Sequence, residues 1–568
     1  MSKRNNRAAR ARKMRQAARL RKEKAELAAT GPQPAGIRGW ASRPMNARLM
    51  PAAIMLLFAV SYIYLQLCNM RQCDYDTYYM ISEGRRILSE GFTGTNPYLF
   101  FEGYYLPLQQ WLYCVLLAFF DGLDPSMIGI TIFSAIQGML LFWLIHRFVY
   151  AYSKDRFWSY LAAILATALV NFGYFFTSRP ENITLILLMI DMIALDRYKK
   201  TGKAGYLYIL PVCVLAEMNL HASMWPFHFC VLLANAFPCV FKNSLDDNQI
   251  KPTRHLLAVI ALMIGALFLN PYGTENILYV FRSLNTFTHV QIFEQQPVQM
   301  LSWNGIMVCA VTIAAAVAWS RKLLRSTSAY AIIGFCFLGA TSHHSAMFMP
   351  LAVAYLASDL VKKLREKAEG RKTVDTMPNG LWITVPLMAL CLAAGVGQLV
   401  KEDRLHAYYH NDELDSIIAY IDAADPDHES AILNFNDTGS YLEYNGFRNI
   451  FADTRPEALN IAINKRENSM ELMDILDYGL DTKAYGYADI DDIVEEYDIR
   501  YILVPYDKSG WTRLRAYLDY TDKFELPDLT KYGHNKNAEL KELNQMVEDG
   551  KLEKGTSSPD YLLYERKA

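Results

Sequence analysis

The chain has 568 residues and a formal net charge of -1, with 57 Lys and Arg against 58 Asp and Glu, yet the balance is unevenly spread. Residues 1 to about 48 are basic and Ala-rich, residues 50 to 400 are a series of apolar runs, and residues 401 to 568 read as a soluble domain. All nine cysteines lie within or beside the apolar runs, which excludes a disulfide-stapled extracellular domain, and no C-x-x-C or His-rich spacing marks a structural zinc site.

The N-terminal segment carries Lys3, Arg4, Arg7, Arg10, Arg12, Lys13, Arg15, Arg19, Arg21, Lys22 and Lys24 against Glu23 and Glu26. It reads as a cytoplasmic topology signal that touches anionic lipid, rather than as a nucleic-acid binder. Residues 51 to 68 are apolar for about the length a bilayer needs and read as an uncleaved signal anchor.

With the tail in the cytoplasm, further spans are predicted at about 125–146, 158–176, 181–196, 205–219, 223–241, 255–269, 302–320, 328–340 and 345–361. Lys and Arg then fall in every second loop, and an eleventh span at about 380–399 exports the C-terminus. The apolar run 106–120 is read as a helix lying in the outer interface, because counting it as a span inverts the charge pattern. Beyond residue 400, β-rich runs at 431–435, 449–452, 501–504 and 561–564 alternate with helical patterns, as in a small α/β layer domain. No glycine-rich phosphate loop opens its helices, and it is expected to fold alone and to cover a site or select an acceptor.

This topology gathers polar groups on one face. The first outer loop holds Asp74, Asp76, Tyr78, Tyr79 and Glu83; later loops add Arg179 and Glu181, then Glu217, Asn219 and His221, then Glu275, Arg282, His289 and Glu294, and last His343 and His344. Such a set offers a carboxylate to take a proton from an acceptor and Arg or His to hold an anionic leaving group. Asp76 also suits the N-cap of a helix starting near Thr77. Asp191 is the clearest ionisable residue in the middle of a span.

Asp74-Tyr75-Asp76-Thr77-Tyr78-Tyr79, Glu83-Gly84-Arg85, Asn96-Pro97-Tyr98 and Gln110-Trp111-Leu112 together resemble the first outer loop of the GT-C superfamily of polytopic membrane glycosyltransferases. That superfamily includes protein O-mannosyltransferases and lipid A aminoarabinose transferases. Arg179-Pro180, Asn219-Leu220-His221, Asn270-Pro271-Tyr272-Gly273 and Glu294-x-x-Pro297 are similar to bacterial members without an assigned substrate. Gly439-Ser440-Tyr441-Leu442 and Asp453-Thr454-Arg455 resemble their terminal domain, whereas in the earlier motifs Gln295 stands where Trp is expected after Glu294 and Ala222 where Gly is usual after His221.

The resemblance implies a polytopic helical membrane protein of about eleven spans in the plasma (inner) membrane, with an extracytoplasmic C-terminal α/β domain. It implies a polyprenyl-phosphate-linked sugar donor, a cell-envelope acceptor, inversion at the sugar carbon, and an outer-loop Asp as base or acceptor-positioning group: Asp76, with Asp74 second. Tyr78, Tyr79, Glu83, Arg179, His221, Glu294, His343 and His344 are the expected substrate-binding residues. Asp74 and Asp76 offer oxygen ligands to Mg²⁺ or Mn²⁺, but two carboxylates are too few to specify a metal site. The rival reading is a transporter or flippase of an envelope lipid intermediate.

Overall fold

The computed structural model describes residues 75–92, 96–100, 107–123, 128–170, 178–241, 250, 253–283, 297–369, 412–455, 487–505, 512–532 and 561–567. The basic tail, the first and eleventh expected spans, Asp74 and Glu294 lie outside them.

The described chain opens with two short helices, α1 (Tyr75–Glu90) and α2 (Trp111–Asp121). At about 1.5 Å per residue, the 11 residues of α2 cannot cross a hydrocarbon layer about 30 Å thick. They pack on α1 instead. Gly84 makes the approach possible, since a Cβ there would lie 2.0 Å from the Cys114 carbonyl oxygen.

Among the described residues, each stretch expected as spans two to ten contains helix. In order, these are α3 (Ile128–Ser153), α4 (Arg156–Ile164, continued by a π-helical turn Leu165–Val170), α5 (Glu181–Thr201), α6 (Ile209–Leu220) and α7 (Pro226–Phe241). After them come α8 (Arg254–Ala266), a short unexpected α9 (Thr274–Ser283), α10 (Trp303–Ser320), α11 (Ser326–Thr341) and α12 (Met349–Glu369). Side-chain caps define several starts: Asp155, Thr253 and Ser302 accept from the backbone N–H of Trp158, Leu256 and Gly305. Left-handed Gly202 ends α5.

Leu141, Phe142, Ile145 and Phe148 of α3 pack with Leu188, Met189 and Met192 of α5 and Leu351 and Tyr355 of α12 in a continuous apolar core. Away from that core, Leu257, Ile313 and Phe337 leave 68%, 64% and 71% of their surface uncovered. Large apolar side chains repeated on the outside of a bundle suit lipid, not water. Among the described residues, three helical segments, Ile132–Ser153, Trp303–Ser320 and His344–Lys363, are long and apolar enough to cross a membrane by length and composition.

Residues 412–567 bring strands. Helix α13 (Asp412–Ala424) precedes β1 (Ala431–Asn434), then come α14 (Asn436–Tyr444), α15 (Tyr487–Glu496), β2 (Ile499–Pro505), α16 (Thr512–Tyr520), β3 (Phe524–Glu525) and β4 (Tyr561–Arg566). The sheet order is β1-β2-β4-β3, with β1 and β2 parallel and the other pairs antiparallel. β2 is buried almost throughout, and its apolar run Tyr501-Ile502-Leu503-Val504 reflects cover on both faces.

The expectation that this region folds alone meets a different arrangement. Ile450 bridges in parallel to both Ile432 and Leu99, so residues 98–100 add a further extended segment at the β1 edge. Phe100 N–H donates to the Ile450 carbonyl at 3.0 Å, and Ile450 N–H to the Tyr98 carbonyl at 2.9 Å. One apolar cluster runs from Tyr78, Ile81, Cys114 and Leu117 through Tyr441, Phe451 and Leu503. The loop after the first expected span is thus part of the C-terminal layer's core. Sequence periodicity, read within each region separately, carries no information about such a shared core.

Candidate functional site

The residues gathered by sequence separate into two clusters along α1, one at its start and one at its middle. The first centres on the start of α5. Arg179, just before that helix, pairs with Asp76 at 3.0 Å. Two residues on, Glu181 Oε1 lies 3.7 Å from His344 Nε2, and one turn further Thr184 Oγ1 lies 2.9 Å from His221 Nδ1. His343 is buried in the turn between α11 and α12. The segment 179–184 therefore joins Asp76, Arg179, His221 and His344, four of the expected residues. Helix α1 begins at Tyr75, so Asp76 is inside its first turn rather than capping it from before Thr77. An acidic group there also meets the positive end of the helix dipole.

Behind this cluster lies a chain of groups that sequence reading did not assemble. Thr184 Oγ1 donates to Glu217 Oε1 at 2.5 Å. Glu217 Oε2 lies 3.2 Å from His228 Nε2, and His228 Nδ1 lies 2.6 Å from Asp191 Oδ2. Thr184, Asp191, Glu217 and His228 are wholly buried, and His221 is 5% exposed. The signal was periodic: Glu181, Thr184 and Asp191 stand three and seven residues apart, which puts them on one face of α5.

The second cluster faces the C-terminal layer. The Arg455 guanidinium donates to Glu83 Oε1 at 2.6 Å, to Glu443 Oε1 at 3.2 Å and to Asp453 Oδ2 at 2.9 Å, and lies 4.6 Å over the Tyr79 ring. Arg86 donates to the other Glu83 oxygen at 2.7 Å. Tyr78 packs edge-on against Tyr441 and Tyr444. Gly439 lets α14 close on this node, since a Cβ would sit 1.8 Å from the Ala452 carbonyl oxygen. Tyr78, Tyr79 and Glu83 are thus placed in the joint with the C-terminal layer, away from the Asp76–Arg179 pair.

Burial pushes the Glu443 carboxyl well up, aided by the Asp453 charge. Burial also acts upward on Asp453, but the Arg455 charge and hydrogen bonds outweigh it and hold that carboxyl below its ordinary value. Glu83, Arg86, Asp453 and Arg455 balance in charge only while Glu443 keeps its proton.

The Asp76 carboxylate already holds a guanidinium, and no group of three His, Cys, Asp or Glu among the described residues is disposed to bind a metal. Glu275 and Arg282 pair with each other on α9.

No protein-family model matches the chain. No curated protein sequence matches it either. Solved structures do match. The Archaeoglobus fulgidus oligosaccharyltransferase in its apo form aligns with a TM-score of 0.56 at 11% identity, over 80% of this chain and 69% of that one. The archaeal oligosaccharyltransferase AglB from the same organism, in complex with an inhibitory peptide and a dolichol-phosphate, aligns with a TM-score of 0.53 at 10% identity, over 81% and 70%. ArnT from Cupriavidus metallidurans bound to undecaprenyl phosphate aligns at 11% identity over 86% and 97%, with a TM-score of 0.49. The fold of this chain is thus similar to that of the Archaeoglobus fulgidus oligosaccharyltransferase.

Proposed function

We propose that this chain transfers a sugar from a polyprenyl-phosphate-linked donor to a cell-envelope acceptor at the outer face of the membrane. The carrying observation is the fold shared with AglB over four-fifths of the chain, a protein whose structure holds a dolichol-phosphate and a peptide. On this reading the chain crosses the plasma membrane about eleven times, the N-terminus is cytoplasmic, and the C-terminal layer covers the site from outside. An acceptor hydroxyl attacks the sugar carbon, the bond to the phosphate oxygen breaks with inversion, and the electron pair leaves with the polyprenyl phosphate. Asp76, held by Arg179, orients the acceptor or takes its proton, and Arg179 with His344 holds the anionic phosphate.

The test is Asp76→Asn in full-length protein, with transfer and melting measured on the same preparation. The expected result is unchanged melting with a rate lower by about 10²- to 10⁴-fold. A fully active variant overturns the assignment, and a deletion strain in which no lipid-linked sugar accumulates overturns the proposed reaction.

The buried Asp191–His228–Glu217 set favours a second reading, since ionisable groups inside a helical bundle also mark transport pathways. Flux of a lipid-linked sugar across proteoliposomes without transfer would select it.

A further inference from the structure

The Thr184–Glu217–His228–Asp191 chain lies behind the site, away from Asp76, and ends on His221. Its chemistry follows from counting protons. His228 places a ring nitrogen on a carboxylate at each side, 2.6 Å from Asp191 and 3.2 Å from Glu217, an arrangement that suits N–H on both nitrogens. Glu217 then accepts from His228 through one oxygen and from Thr184 through the other. The 2.5 Å Thr184–Glu217 separation is that of a hydroxyl donating to an ionised carboxylate. A threonine hydroxyl has one proton. Once it goes to Glu217, the Thr184 oxygen can only accept from His221 Nδ1, 2.9 Å away.

We propose that Glu217 and Thr184 lock His221 into the Nδ1–H tautomer, so that its Nε2 is a hydrogen-bond acceptor for the hydroxyl that the site receives. The assignment rests on the transfer reading and deepens it. A neutral ring with a bare Nε2 has no donor there for a phosphate, so His221 serves the acceptor and not the leaving group. Nε2 accepts a hydrogen bond from the acceptor's hydroxyl and so orients it, and the proton passes to Asp76 as the oxygen bonds to the sugar carbon and the phosphate departs. Thr184 and Glu217 are positioning residues, acting only through His221. The state of His221 agrees: burial, with the nearby His344 charge second, lowers its pKa to about 3, so the ring stays neutral at physiological pH.

The experiment is ring-¹⁵N histidine labelling of the full chain in lipid nanodiscs, with the His221 signals assigned by difference against His221→Asn. The expected wild-type spectrum is a neutral ring protonated at Nδ1, unchanged from pH 8 to pH 5. Thr184→Ser keeps that pattern, whereas Thr184→Val, similar in shape but without the hydroxyl, loses it. A wild-type ring protonated at Nε2, an imidazolium, or a Thr184→Val spectrum identical to wild type overturns the inference. Melting curves and the His228 signals show whether Thr184→Val still folds, and Glu217→Gln is the second variant should it not. In parallel, transfer from a synthetic polyprenyl-phosphate hexose is followed against pH. Thr184→Val should slow it at least tenfold with KM little changed, and Thr184→Ser should restore it. A Thr184→Val enzyme as fast as wild type overturns the role given to His221. Absence of transfer in wild type with the tautomer as expected counts against the proposed reaction, leaving the lock itself supported by the spectra.

Discussion

Replacing Arg455 by Met removes the charge that satisfies three carboxyl groups while leaving an apolar chain to cover the Tyr79 ring. The Arg455, Glu83, Glu443 and Asp453 side chains are 7%, 4%, 0% and 0% exposed, so the carboxylates left behind are not resolvated. Breaking a buried pair from one side costs about 3–5 kcal/mol. That cost falls on the joint between α1 and the C-terminal layer, which the Phe100–Ile450 backbone bonds report directly. At about 1.4 kcal/mol per tenfold, hydrogen exchange in peptides covering residues 96–100 and 447–452 should quicken by roughly 10²- to 4 × 10³-fold, with little change in α3 or α5.

The pH dependence carries a sign for each group. Asp453, with its folded pKa depressed, contributes stability that is present above its unfolded value of about 3.9 and lost as pH falls through the folded one. Glu443, with its folded pKa raised, behaves oppositely: its contribution is complete below its unfolded value of about 4.3 and is lost as pH rises through the folded one. Glu443→Gln should therefore keep the joint closed at higher pH than wild type, and Arg455→Met should remove the acid sensitivity due to Asp453. Exchange in Arg455→Met within twofold of wild type would refute this account of the joint.

Gly84→Ala should separate α1 from α2 and lower the melting temperature, because the new methyl meets backbone and not a movable side chain; an unchanged melting curve would count against the packing described. In a cysteine-free background, a thiol from Asp522→Cys should react with an impermeant maleimide from outside the cell. One from Lys203→Cys should react only after permeabilisation, and the reverse pattern would invert the proposed topology. Both positions are exposed.

The helices were legible because lipid-facing and buried positions both demand apolar residues, so apolar runs stand out and the basic residues in every second loop order them. Helices α6 and α8 end at Leu220 and Ala266, close to the expected 219 and 269, and Asn219-Leu220-His221 and Asn270-Pro271-Tyr272-Gly273 close them through side-chain and turn bonds. Asn270, for example, donates to the Leu267 and Gly273 carbonyls. The residue types of the site were legible too, and the alternation of basic loops placed Asp76, Arg179, His221 and His344 at one end of the bundle. Their partners were not. His228 lies inside an apolar run, where a lone histidine is ordinarily a packed core residue, and only the folded bundle brings it between Asp191 and Glu217.

The two clusters are connected by a single rigid element. Asp76 and Glu83 are seven residues apart on α1, two turns or about 10.5 Å along one side of the helix. Asp76 is held by Arg179 at the end of the helical bundle, and Glu83 by Arg455 of the C-terminal layer. Any shift of that layer carried through Arg455 must move Asp76 against Arg179, because a hydrogen-bonded helix of 16 residues packed through Gly84 on α2 cannot absorb it by bending. The residues of the first loop thus divide along one helix: its start pairs with Arg179 at the end of the bundle, and its middle seats the C-terminal layer. Loosening the joint with Arg455→Met should therefore depress transfer even though Arg455 touches nothing in the first cluster. Adding Asp76→Asn to Arg455→Met should then cost less than the sum of the two single losses, as expected when two residues act through one element.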